Sequence, residues 1–147
     1  NCRVMVVDDN PVDRERLRRA LRALQGVAVE VIECGDGAEA IERLQSDPPD
    51  LVITDLSMPG FATGYQVEQV ATRRGIAVEV MSGLPPLAPY WAGRTRSKDH
   101  LGWLRDAVVL RGCRRGQARS SGPLQRALMA GGGALVVALC ALLSGWV

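Results

Sequence analysis

The chain has 147 residues, of which 47% are apolar and 23% charged, with a formal net charge of +2. That length holds one ordinary domain and a short additional segment, and the apolar share excludes a disordered chain. The charge is uneven: residues 1–106 carry all 16 acidic groups against 13 basic ones, whereas residues 107–147 carry five arginines and no acid.

Cys2, Cys34, Cys113 and Cys140 form no CxxC pair and no metal-like spacing, so they read as reduced thiols in a cytosolic setting. The chain starts at Asn1 instead of Met, as expected of a fragment or a processed form, and shows no N-terminal signal peptide. All but one of the 18 basic residues are arginine; Lys98 is the single lysine.

Taken in chain order, RVMVV (3–7) reads as a short buried strand that ends at Asp8 and Asp9. Asn10 and Pro11 open a helix whose apolar stripe runs through Val12, Leu17, Ala20, Leu21 and Leu24. AVEVIE (28–33) alternates as a strand, and Asp36 caps a helix over 37–45. LVIT (51–54) is a buried strand ending at Asp55, followed by a turn, a helix over 65–74 and a strand at 76–81. The β-α-β-α-β-α-β order calls for a doubly wound parallel sheet with helices on both faces.

The pattern then weakens. GLPPLAPYWAG carries three prolines and is no regular helix along its length. GRTRSK supplies a poorly apolar fifth strand, and DHLGWLRDAVVL (99–110) restores a helical stripe. Residues 1–110 thus form the domain, and residues 111–126 form an Arg/Gly/Ser-rich linker. The charge-free stretch 127–147 is long enough for a membrane span at about 1.5 Å per residue. A buried apolar helix is the alternative. Five arginines ahead of it favour the span and place the domain on the cytoplasmic side. They read as membrane-flanking residues and not as a nucleic-acid site, since no aromatic residues are interleaved.

In a doubly wound sheet, ligands bind outside the carboxyl ends of the strands. Asp8, Asp9 and Asp55 converge there if their strands are neighbours, and like charges so placed call for a hard cation. An all-oxygen site with few protein carboxylates suits Mg²⁺, with the Ser57 backbone carbonyl completing the shell. Ser82, after the fourth strand, offers a hydroxyl, and Lys98, after the fifth, offers an ammonium suited to phosphate. Together these groups suit phosphoryl transfer onto a carboxylate, with Asp55 as nucleophile. His100 reads as a surface residue.

With DD after the first strand, TDLSMPG around the third, MSG after the fourth and a later lysine, residues 2–110 resemble the receiver domain of bacterial two-component response regulators. The resemblance implies a flavodoxin-like sheet of order 2-1-3-4-5. It implies Asp55 as phosphoacceptor from a histidine kinase or phosphotransfer protein, and Asp8 and Asp9 as Mg²⁺ ligands. Ser82 would be the switch hydroxyl and Lys98 the phosphate-binding residue. It further implies a switching surface read by a downstream protein, and no catalysis beyond self-phosphorylation. Three departures accompany it. Asp99 stands where the family has proline, Thr95 where it has an aromatic residue, and a short Ser82–Lys98 interval implies a truncated or absent fourth helix. Two rivals are a pseudo-receiver that keeps the acids without switching, and a small Mg²⁺-dependent phosphatase. The phosphatase expects a second Asp two residues after the nucleophile, where this chain has Ser57.

Overall fold

The computed structural model describes residues 1–60, 62–83, 89–91 and 93–112. The linker (111–126) from Cys113 onward and the apolar segment 127–147 lie outside the described residues. Strand β1 (Cys2–Val7) is apolar almost throughout because it is covered on both sides. Its side chains alternate: Val4 and Val6 enter one core, Met5 and Val7 the other, and all four are fully buried. Strand β3 (Leu51–Asp55) repeats the division, with Leu51 and Ile53 on the first side and Val52 on the second.

Each helix begins where its sequence supplies a cap. In α1 (Pro11–Arg22), the Asn10 Oδ1 accepts the Val12 N–H at 3.0 Å, and Pro11 occupies the first helical position. In α2 (Gly37–Ser46), Asp36 accepts the Glu39 N–H at 2.8 Å. In α3 (Gly64–Arg73), the Gln66 side chain accepts the Thr63 N–H at 2.8 Å. With β2 (Val29–Cys34), β4 (Ala77–Ser82) and β5 (Thr95–Ser97), the strands form one parallel sheet of order β2-β1-β3-β4-β5. This is the flavodoxin-like order.

Leu17 and Leu21 of α1, with Leu104, Ala107 and Val108, cover the Val4/Val6 face. Ala40 and Leu44 of α2, with Val67 and Ala71 of α3, cover the Met5/Val7 face. Each fully buried Val, Leu or Ile contributes roughly 1.5–3 kcal/mol of transfer free energy, so the two layers fix the sheet from both sides. Cys2 and Cys34 are both buried, and burial pushes the Cys34 thiol up to about 12, which keeps it protonated at neutral pH.

The last helix departs from the sequence expectation of 99–110. Helix α4 (Leu104–Asp106) starts at Leu104 and continues as a π-helical turn, Ala107–Gly112. The Asp99 N–H is taken by Ser97 Oγ at 3.1 Å, and the Leu104 N–H by the Leu101 carbonyl at 3.0 Å. These turns hold the intervening residues out of the helix. Among the described residues between β4 and β5, the regular structure is a single 3₁₀ turn, Pro89–Trp91. Its Trp91 is buried, edge-on to Tyr65 at 6.0 Å and to Tyr90 at 4.9 Å. Among the described residues, no helix is long and apolar enough to cross a membrane.

Candidate functional site

Parallel register brings the acids together. Val7 pairs with Thr54, and Asp55 pairs with Met81, so β1, β3 and β4 end at one level. Asp8 leaves β1 fully buried, whereas Asp9 is exposed. Asp8 Oδ1 accepts the Asn10 N–H at 2.9 Å, and the Asp8 carbonyl accepts Arg14 Nη1 at 2.7 Å. Asp55, also buried, accepts the Ser57 N–H on Oδ1 at 3.3 Å, and its carbonyl accepts the Thr54 hydroxyl at 3.1 Å.

The start of α3 lies against the Asp55 backbone. A Cβ at Gly64 would lie 1.8 Å from the Asp55 carbonyl oxygen, a separation no side chain tolerates. Glycine at position 64 is therefore part of how Asp55 is placed.

Lys98 follows β5 directly and reaches past β4 to the acids. Its Nζ lies 2.8 Å from Asp8 Oδ2, 3.0 Å from Asp55 Oδ2 and 3.3 Å from Asp13 Oδ2. Asp8 Oδ2 is fully buried, and the Lys98 ammonium is its close partner. Burial raises the pKa of Asp8 most strongly; the Lys98 and Asn10 contacts work against it, and the charge on Asp55 adds to it. For Lys98, burial works to lower the pKa, but the pairings with Asp8 and Asp55 together outweigh it and the net shift is upward. Lys98 is therefore an ammonium at neutral pH.

One oxygen from each of Asp8, Asp9 and Asp55 falls within a 4.8 Å cluster. Three carboxylates, Asp8, Asp13 and Asp55, face one ammonium and Asp9 stands beside two of them, so the group is acid-rich. An all-oxygen donor set of three carboxylates gathered at one point fits a hard divalent cation such as Mg²⁺. Ser57 stands beside Asp55 through its amide, Ser82 is nearly buried at the end of β4 opposite Ser97, and His100 is exposed. Asp13 is the residue sequence reasoning missed. Its one signal is its place, on the first turn of α1 and four residues after Asp9.

The family of response regulator receiver domains matches residues 4–83 of the chain. The chain belongs to that family. Over 64 residues the receiver is 42% identical to the positive alginate biosynthesis regulatory protein of Pseudomonas aeruginosa, covering 44% of this chain and 25% of that protein. Over 57 residues it is 46% identical to the response regulator MprA of Mycolicibacterium vanbaalenii, covering 39% of this chain and 23% of that one. The receiver thus spans about a quarter of the length of these curated relatives. Among solved structures, the signal receiver domain of the putative response regulator NarL from Mycobacterium tuberculosis superposes with a TM-score of 0.61 at 33% identity, covering 74% of this chain and 94% of that chain.

Proposed function

We propose that this receiver takes a phosphoryl group from a phosphohistidine of a histidine kinase or phosphotransfer protein onto Asp55. The observation that carries the reading is the Asp8, Asp9 and Asp55 cluster at the carboxyl edge of adjacent strands, with the Lys98 ammonium set against Asp55. A carboxylate oxygen of Asp55 attacks phosphorus, the P–N bond breaks, and the imidazole leaves with the electron pair, giving an acyl phosphate. Mg²⁺, held by Asp8, Asp9, Asp55 and the Ser57 carbonyl, would supply positive charge to the phosphoryl oxygens. Lys98 then exchanges a carboxylate partner for a phosphoryl oxygen, and the Ser82 hydroxyl donates to another. The new charge biases a two-state surface that a downstream protein reads. In this reading the domain is cytoplasmic, and segment 127–147 is a candidate tether to the inner face of the membrane.

Intact mass of the full chain after incubation with acetyl phosphate tests this. Gain of one phosphoryl group with Mg²⁺, and none without Mg²⁺ or in Asp55→Ala, is expected; an adduct that persists in Asp55→Ala would sink the proposal. A second reading, a receiver that does not switch, draws on Thr95 and Trp91. Trp91 is already seated, and its carbonyl accepts the Thr95 hydroxyl at 3.0 Å. An adduct that leaves tryptophan fluorescence unchanged would favour that second reading.

A further inference from the structure

The geometry points to Asp13 as a positioning residue for the phosphate-binding ammonium: it holds Lys98 at the rim of the site until a phosphoryl oxygen displaces it. The inference deepens the phosphoacceptor reading and rests on it. Lys98 Nζ has three carboxylate neighbours, but two of them, Asp8 and Asp55, also belong to the cluster suited to a cation. A cation would draw on those two carboxylates, whereas Asp13, outside the cluster, stays committed to the ammonium among the described residues. Asp13 reaches it from a different element, the first turn of α1, through Oδ2 at 3.3 Å.

The carboxylate is itself aimed. Asn10, the residue capping α1, uses Oδ1 for the Val12 N–H and its Nδ2 donates to Asp13 Oδ2 at 3.2 Å. Lys98 and Asp13 line one narrow crevice together with Arg16, Leu17, Met81 and Leu101. An acid in a first helical turn is favourable to the helix by itself. A purely helical role, however, needs neither the Asn10 contact nor an orientation toward Lys98.

Asp13 therefore competes with the incoming phosphoryl group for one cation. Because Lys98 is the single lysine, lysine labelled with ¹³C at the ε carbon gives one side-chain signal in the full chain. Mg²⁺ binding by calorimetry, the mobility of that signal, and acetyl phosphate kinetics are measured on wild type, Asp13→Asn and Asp13→Glu. With Mg²⁺ bound, the signal is expected to stay immobile in wild type and Asp13→Glu and to become mobile in Asp13→Asn. The half-saturating acetyl phosphate concentration is expected to fall about two- to fivefold in Asp13→Asn, the range for breaking a partly exposed ion pair, with the maximal rate within about twofold.

Should Asp13→Asn fail to fold, Asn10→Ser keeps the helix cap but removes the amide that aims Asp13, and is expected to loosen the lysine signal partway. An immobile lysine and unchanged half-saturation in a folded Asp13→Asn that binds Mg²⁺ would overturn the role of Asp13 alone. No Mg²⁺ binding and no adduct in wild type would remove the phosphoacceptor reading and this role with it.

Discussion

The acids and the ammonium of the site hang from two differently built parts of one sheet. Asp8, Asp9 and Asp55 end central strands in which Val4 to Val7 and Leu51 to Asp55 are all buried. Lys98 follows β5, an edge strand of three residues, none of them buried, that among the described residues pairs with Val80, Met81 and Ser82. The match to the receiver family stops at residue 83, where the construction changes. The carboxylate half of the candidate site is thus anchored in the core, and the ammonium half rests on a thin margin.

Four changes would break or sharpen that contrast. Ile53→Ala, beneath the acids in β3, is expected to cost about 2–5 kcal/mol in urea unfolding; a cost below 1 kcal/mol would deny that the central strands carry the site. Gly64→Ala sets a methyl group against the Asp55 carbonyl and is expected to cost about 1–3 kcal/mol while slowing adduct formation, as read by intact mass. Thr95→Ala, at the edge, removes one hydrogen bond to Trp91 and should cost about 0.5–1.5 kcal/mol in the same urea assay. If it matched Ile53→Ala, the edge would be as firmly built as the centre.

The smallest effect has an informative sign. Burial raises the Asp8 pKa above its unfolded value, so the folded state favours the protonated form. The stability tied to that preference is full in acid, below the unfolded value, and is lost as pH rises through the folded pKa. Asp8→Asn removes the buried charge. Without Mg²⁺ its melting temperature should exceed that of wild type near neutrality, and the gap should close toward acid pH. A gap that widened toward acid would mean that pairing with Lys98, not burial, governs Asp8.

The strands and the three acids were legible because short apolar runs and strand-end carboxylates are local signals, whereas the sheet order came from the family resemblance. RVMVV followed by DD, and LVIT followed by Asp55, need no distant partner to be read. Asp13 was not legible, since an acid at that point of a helix is ordinary and its orientation depends on Asn10 and on a lysine 85 positions away. The late start of α4 was hidden for a similar reason: Ser97 and Leu101 satisfy N–H groups that a helix would otherwise use. Glu79 shows the limit most plainly. It lies buried in a strand that reads as apolar, held by Arg96 and Arg111 at 3.0 Å each, and in a chain this rich in arginine no pattern marks those two.

The brevity of β5 has a thermal consequence. Local opening of a three-residue edge strand exposes almost no apolar surface, so it needs far less free energy than global unfolding. Such fraying withdraws the ammonium and leaves β1 and β3, with their carboxylates, in place. On warming, the proposed hold on an anion would be lost first, while the carboxylates would stay together until the domain melts.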